Sequence, residues 1–125
     1  MDNKSRPLFV YGILQGSADA VDAMVDGYRL KDMGWFPAAI PDDKSVVKGE
    51  LRYVSQATID QFDKIEGHPN FYIRTPTNVR MEDGKVVEAE MYVIGASYHN
   101  EVSEQTDKLH INIGDDGVKL YSYDA

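Results

Sequence analysis

Short apolar stretches, separated by glycine and proline, run through this chain and predict a strand-rich fold. Residues 8–11, Leu-Phe-Val-Tyr, are apolar throughout and favour β structure, so they predict a buried first strand that ends at Gly12. The Asp-Gly pair within residues 82–85 predicts a hairpin turn. Beyond the first strand, the predicted strands are residues 28–36, 46–54, 71–81, 86–94, 109–113 and 118–123.

The predicted strand at 46–54 has two distinct faces. Its odd-numbered residues from 47 to 53 alternate with charged residues, so they are expected to face the core. Gly49 in that row leaves room for a close approach to the backbone. Just before the strand, Pro41 and the Asp42-Asp43 pair predict a turn.

Two short helices are predicted. Residues 19–25 carry apolar residues at helical spacing, and Gly27 follows as a stop. Ser55 is a favourable N-cap for the second helix, which stops at Gly67. The predicted apolar face of this helix consists of Ile59, Phe62 and Ile65.

These elements predict an α+β fold. The strands are mostly antiparallel and close in sequence, so we expect a small mixed β-barrel flanked by short helices. With 125 residues the chain has the length of one domain, and we assign residues 1–125 to it.

The composition of the chain limits the kinds of partner that the protein is expected to bind. The net charge of −8 argues against nucleic acid, because phosphate binding depends on clustered lysine and arginine. The chain has no cysteine, which excludes disulfides and cysteine nucleophiles and fits a reducing cytosol. No apolar run approaches the ~20 residues that a membrane helix needs. We therefore expect a cytoplasmic protein without membrane or nucleic-acid partners, whose oligomeric state the sequence leaves open.

Glu66 lies in the apolar sector of the second predicted helix. At about 100° per residue it falls roughly 20° from Ile59 and 40° from Phe62. Burial of a carboxylate raises its pKa towards the range that a general acid/base needs at neutral pH. The alternative is that Glu66, at a helix end, turns to water or pairs with Arg74.

Residues 12–17 form a glycine-bounded loop after the first strand. Such a loop gathers backbone N–H groups and can hold an anion, although most turns of this kind bind nothing. It has neither the P-loop nor the dinucleotide-binding pattern. The histidines lack metal-binding spacing and no Gly-x-Ser-x-Gly occurs, so we expect no metal, no cofactor and no serine nucleophile.

One buried carboxylate and a loop of N–H donors suit intramolecular acyl transfer, in which the nucleophile belongs to the substrate. The carboxylate can move a proton between two nitrogens, and the loop can hold a carboxylate or an oxyanion. Tyr72 and Arg74 share a face of one strand and are candidates to position the substrate or Glu66. The equal alternative is that these two side chains make structural contacts and do not position the substrate.

Three blocks of the sequence resemble the gamma-glutamylcyclotransferase-like family, which includes AIG2-like proteins and gamma-glutamylaminecyclotransferase. Residues 9–14, FVYGIL, resemble the family opening FVYGTL, and residues 47–53, VKGELRY, resemble its V-x-G-E strand. Residues 62–69, FDKIEGHP, followed by Tyr72-Ile73-Arg74, resemble its LD-x-x-E-G-x-P-x-x-Y-x-R segment. The resemblance covers residues 8 to about 94.

The resemblance implies a barrel enzyme that acts on a small gamma-glutamyl amine or peptide and releases 5-oxoproline. It implies that Glu66 is the general acid/base. It also implies that the loop after the first strand holds the glutamyl end of the substrate through Tyr11, Gly12, Ile13 and Leu14.

Two positions depart from the family pattern. Ile13 replaces the usual Thr or Ser, and Gln15 replaces a common Lys. A non-catalytic module that binds a small metabolite or a partner protein on the same fold is therefore the alternative. An acidic decoy for a nucleic-acid-binding protein is a third hypothesis.

Overall fold

The computed structural model describes residues 6–12, 14–33, 36–98 and 109–123. Within these ranges there is a single α-helix, α1 (Gln56–Glu66), and a short 3₁₀ turn at Ala96–Tyr98. The strands are β1 (Arg6–Val10), β2 (Val21–Asp32), β3 (Pro37–Val54), β4 (Tyr72–Met81), β5 (Val86–Ile94), β6 (Leu109–Ile113) and β7 (Lys119–Tyr123).

Five strands close into a mixed β-barrel in the order β1-β5-β4-β2-β3, and β3 pairs back to β1. The β1–β5 pair is parallel and the other four pairs of the ring are antiparallel. β7 adds to β3 in parallel, and β6 pairs antiparallel with β7 outside the ring. The predicted mixed, mostly antiparallel barrel is confirmed.

β1 is apolar throughout its second half because both of its faces are buried. Phe9 packs in the cluster contributed by all strands of the ring. Leu8 and Val10 point the other way and pack with Ile59 of α1 in a second cluster. A strand covered on both sides reads as a continuous apolar run, and this explains the pattern of residues 8–11.

The helix predicted at residues 19–25 is wrong, because β2 begins at Val21. Ala23 and Val25 are buried, whereas Asp22 and Asp26 on either side of them are exposed and Met24 between them is half-buried, which is the two-residue period of a strand. Pairing with β3 on one side and β4 on the other outweighs a helical spacing that only a few residues support. The described part of the chain therefore has one α-helix where two were predicted.

The predicted turn at Asp42-Asp43 is also corrected, since β3 continues through it. The β2–β3 register shifts there: Asp26 is opposite Val46, whereas Tyr28 is opposite Pro41. The carboxylate of Asp42 accepts hydrogen bonds from the Lys44 amide at 3.1 Å and the Ser45 hydroxyl at 2.9 Å. The polar residues thus form a bulge within a strand.

Gly49 has the close neighbour that the sequence predicts. A Cβ at this position would lie 2.3 Å from the carbonyl oxygen of Val10 and 2.8 Å from the ring of Phe9. Val47 and Leu51 beside it are buried as expected, but Tyr53 is 51% exposed.

Helix α1 begins as predicted at Ser55, whose hydroxyl accepts a hydrogen bond from the Thr58 amide at 3.2 Å. Ile59 is fully buried against the barrel. Ile65, predicted on the same apolar face, is instead 64% exposed. None of the helices in the described ranges has the length and apolarity required to cross a membrane.

Candidate active site

Glu66 is the last residue of α1, and the local sequence fixes where the helix ends. Gly67 adopts a left-handed conformation with φ of 69°, which a side chain would disfavour. The amides of Gly67 and His68 donate to the carbonyls of Lys64 and Asp63, at 3.3 and 2.9 Å. This cap holds the final turn in register, so the direction of Glu66 from the helix axis is defined.

Glu66 lines a cavity of about 160 Å³. The loop after β1 contributes Tyr11, Gly12 and Leu14 to the lining of the same cavity. Tyr72 of β4 also lines the cavity. The remaining lining residues are Phe9, Val10, Phe36, Pro37, Ile65, Phe71 and Tyr92.

Among the described residues that line this cavity, Glu66 is the only one with a carboxyl group. Burial raises the pKa of its carboxyl from 4.5 to about 7. Among the described residues, no hydrogen bond or ion pair joins this carboxylate to another side chain. At neutral pH it can therefore both accept and donate a proton.

The loop after β1 is held by the outward face of β3. Glu50 accepts a hydrogen bond from the Gly16 amide at 2.8 Å, and Arg52 donates to the Leu14 carbonyl at 3.2 Å. A Cβ on Gly12 would lie 2.8 Å from Cγ of Pro37, so the loop sits tightly against β3. A loop fixed in this way is preorganised to present backbone groups to a ligand.

The two cavity tyrosines predicted at the site use their hydroxyls to bind the backbone. Tyr11 donates to the Tyr92 carbonyl at 2.6 Å and accepts from the Ala39 amide at 3.1 Å. Tyr72 donates to the Pro37 carbonyl at 2.6 Å. Both residues therefore offer the cavity their rings, with hydroxyls already engaged.

Arg74, which the sequence predicts beside the substrate, is not among the described residues that line the cavity. Its guanidinium donates to the carboxylates of Asp63 and, at 3.0 Å, Glu90. Arg74 therefore forms structural ion pairs with Asp63 and Glu90, and not the predicted alternative pair with Glu66. Tyr72 and Arg74 thus have different surroundings although they lie two residues apart.

Ile13, predicted to contact the substrate, lies outside the described residues. Of the histidines, His68 accepts a hydrogen bond from the Arg74 amide at 3.0 Å through Nδ1. In the part of the chain that the structure describes, no three histidine, aspartate or glutamate side chains group closely enough to hold a metal ion.

Sequence reasoning did not single out the aromatic side of the cavity. Phe36, Phe71 and Tyr72 pack edge to face, with ring centroids 5.2 to 6.0 Å apart. Phe36 precedes β3 and Phe71 precedes β4, so nothing local marks them as neighbours. Asp63 was also missed, although it lies three residues before Glu66 and so on the same side of α1.

The sequence pattern of the family "Gamma-glutamyl cyclotransferase, AIG2-like" matches residues 8–115. The chain therefore belongs to this family, and the resemblance found in the sequence is confirmed. A protein of Methanocaldococcus jannaschii named "Putative gamma-glutamylcyclotransferase" is 33% identical over 57 residues. That match spans 45% of this chain and about half, 48%, of the relative.

Solved structures share the fold. An AIG2-like protein from Mus musculus superposes with a TM-score of 0.68 and 21% identity, covering 98% of this chain and 97% of its own. A protein of Arabidopsis thaliana with a solution structure is 30% identical with a TM-score of 0.62, over 85% of this chain and 68% of its own. A structure named gamma-glutamyl cyclotransferase has a TM-score of 0.62 and 16% identity, over 74% of this chain and 68% of its own.

Proposed function

We propose that this protein is a gamma-glutamyl cyclotransferase that releases 5-oxoproline from a gamma-glutamyl amine or peptide, with Glu66 as general acid/base. The observation that carries the proposal is that Glu66, which is partly buried and has a carboxyl pKa raised to about 7, lines the same cavity as the loop after β1. Family membership supports the reaction class.

The proposed reaction starts when Glu66 takes a proton from the α-ammonium of the substrate. The free amine attacks the γ-carbonyl carbon and forms the five-membered lactam. The bond from that carbon to the leaving nitrogen breaks as Glu66 returns the proton to this nitrogen. The attacking nitrogen gives up a second proton as the lactam forms, and this proton passes, again through Glu66, to the released amine, which leaves as an ammonium. The atoms balance without water, because nucleophile and electrophile belong to one molecule, and this proximity supplies much of the rate.

The loop at Gly12 and Leu14 is proposed to hold the glutamyl end through backbone amides. Its attachment to Glu50 and Arg52 supports this role, because a fixed loop loses little entropy when it binds. The apolar wall of the cavity keeps water from Glu66 and so maintains its basicity. Tyr11 and Tyr72 are proposed to contact the substrate through their rings.

The direct test compares wild type with Glu66→Gln, a change that keeps shape but removes proton transfer. Glu88→Gln is the matched control, since Glu88 is exposed on β5. Each protein is incubated with a panel of gamma-glutamyl amides and peptides, and 5-oxoproline and free amine are quantified. We expect the rate of Glu66→Gln to fall by about 10²–10⁴-fold, with Glu88→Gln unchanged.

Equal 5-oxoproline release by wild type and Glu66→Gln would overturn the assigned role. If wild type forms no product but a member of the panel raises its melting temperature, the protein is a binding module on the same fold. Thermal unfolding of Glu66→Gln confirms that any loss of rate is not a loss of fold.

A further inference from the structure

The carboxylate of Asp63, one helical turn before Glu66, is held by two strands of the barrel. Arg74 of β4 donates to it through Nη1, and Tyr92 of β5 donates through its hydroxyl at 2.7 Å. The side chains of Asp63 and Arg74 keep only 19% and 18% of their exposure. The last turn of α1 is thereby attached to both β4 and β5.

The backbone around Glu66 is tied to the same arginine. The carbonyl of Asp63 accepts the capping hydrogen bond from His68, and the imidazole of His68 accepts one from the Arg74 amide at 3.0 Å. Arg74 therefore bonds the residue three before Glu66 and the residue two after it.

A second carboxylate extends this network to the start of α1. Glu90 of β5 accepts from Nε of Arg74 at 3.0 Å and also pairs with Arg6 of β1. Arg6 in turn donates to Gln56 in the first turn of α1. The helix is thus fixed at both ends, with the stronger set of contacts next to Glu66.

Glu66 has no such anchor of its own among the described residues. Its position in the cavity depends on where the helix end lies, because a terminal turn without tertiary contacts frays. Asp63 is the α1 side chain closest in sequence to Glu66 that bonds to the barrel.

We propose that Asp63 is a positioning residue, whose contacts with Arg74 and Tyr92 hold the end of α1 against the barrel and keep the Glu66 carboxylate inside the cavity. Its effect on turnover rests on the proposed function, but its effect on the position of Glu66 does not.

The charge of Asp63 is part of this contact. Burial raises the pKa of the Asp63 carboxyl, but the hydrogen bonds from Arg74 and Tyr92 lower it more, so the pKa lies below its usual value. At neutral pH the bond from Arg74 is therefore charge-assisted and stronger than a neutral one. Asp63→Asn keeps the size of the side chain and removes this charge.

The pKa of Glu66 reports its burial. Desolvation alone accounts for its raised value, and Asp63 is not among the causes. The titratable groups near Glu66 on the elements packed against α1 are Tyr11 after β1, Tyr72 of β4 and Tyr92 of β5. Burial is the main cause that raises the pKa of each of these phenols, so they stay neutral below pH 9. On its own segment Lys64 and His68 are the nearest charged or titratable neighbours. Removal of the Asp63 charge therefore changes the Glu66 pKa chiefly if Glu66 moves into water.

The test is an NMR titration of ¹³C-labelled glutamate carboxyls in wild type, Asp63→Asn and Tyr92→Phe. The Glu66 resonance is assigned by its loss in Glu66→Gln. Asp60→Asn is the matched control, because Asp60 is exposed on the same helix. We expect the Glu66 pKa to fall from about 7 towards 4.5 in Asp63→Asn, to fall less in Tyr92→Phe, and to stay unchanged in Asp60→Asn.

An unchanged Glu66 pKa in folded Asp63→Asn and Tyr92→Phe would overturn the positioning role, and so would a wild-type value near 4.5. Should Asp63→Asn fail to fold, Tyr92→Phe alone decides, because it removes one hydroxyl and leaves the ion pair. These outcomes do not depend on turnover.

Kinetics then connect the position of Glu66 to the reaction. We expect kcat for 5-oxoproline release to fall about 10–100-fold in Asp63→Asn while KM stays within about twofold, since the displaced group acts in the chemical step. A changed Glu66 pKa with unchanged kcat would overturn the link to catalysis. Wild type without any turnover would instead refute the proposed function and leave the NMR result standing.

Discussion

Glu66 and Tyr11 line the same cavity, and the negative charge of Glu66 acts on the phenol of Tyr11. Burial raises the pKa of the Tyr11 hydroxyl, and the negative charge of Glu66 raises it further. One residue ends α1 and the other follows β1, so the barrel brings together groups that are distant in the chain. Glu66 and the glycine-bounded loop after β1 therefore line one cavity.

The first prediction concerns the pH dependence of the rate. If Glu66 must be ionised to accept the α-ammonium proton, kcat/KM should fall about tenfold per pH unit below its pKa of about 7. Initial rates of 5-oxoproline release between pH 5 and 9 measure this. An acidic limb centred near 4.5, or no limb, would contradict the assignment, and Glu88→Gln should retain the wild-type limb.

The second prediction concerns stability. A raised carboxyl pKa favours the protonated form in the folded state, so this contribution is complete below pH 4.5 and is lost as pH rises through about 7. Glu66→Gln removes the cost of the buried charge. After allowance for solvent screening, we expect it to be about 1–2 kcal/mol more stable than wild type at pH 8 and equal to it at pH 4.

Urea unfolding at the two pH values measures this difference. Glu88→Gln should show the same stability relative to wild type at both. If the gain in unfolding free energy of Glu66→Gln over wild type is the same at pH 4 and pH 8, the Glu66 carboxyl is not desolvated.

The third prediction separates structure from binding at Tyr11. Tyr11→Phe leaves the Tyr92 carbonyl and the Ala39 amide without their hydroxyl partner in a buried setting. We expect a loss of about 1–3 kcal/mol in unfolding free energy and little change in KM, because the ring remains. Tyr53→Phe, at an exposed position, should be neutral. A large rise in KM with unchanged stability would show that the hydroxyl binds substrate.

The fourth prediction concerns Ile65, which is 64% exposed and yet lines the cavity. Together with Leu14, Phe36 and Phe71 it gives the cavity an apolar side that would favour an apolar leaving amine. Ile65→Lys should reduce the preference in kcat/KM for a gamma-glutamyl alkylamide over a gamma-glutamyl amino acid by about 10-fold. Gln61→Lys, which adds the same charge at an exposed position of α1, is the control. An unchanged preference would exclude Ile65 from substrate selection.

Local sequence was sufficient for much of the fold. The strand at residues 86–94, the Asp-Gly turn before it, and the Ser55 and Gly67 signals around α1 all depend on neighbouring residues, and each of these predictions is confirmed. The inward direction of Glu66 also follows from helical periodicity alone. These features are predictable because backbone preference and side-chain spacing act within a few residues.

The features that the sequence left open depend on long-range contacts. Residues 21–25 form a strand because β3 and β4 lie on either side of them, and their own spacing does not reveal those partners. Arg74 binds Asp63 rather than Glu66, although all three belong to one short segment. Which carboxylate Arg74 meets depends on how the end of α1 packs against β4, and helical spacing does not determine that packing. The aromatic side of the cavity is assembled from the starts of β3 and β4. Periodicity thus predicted the inward positions of residues such as Val47, Leu51 and Ile59. Contact partners and burial, as at Tyr53 and Ile65, depend on closure of the barrel, which sets the distances between elements.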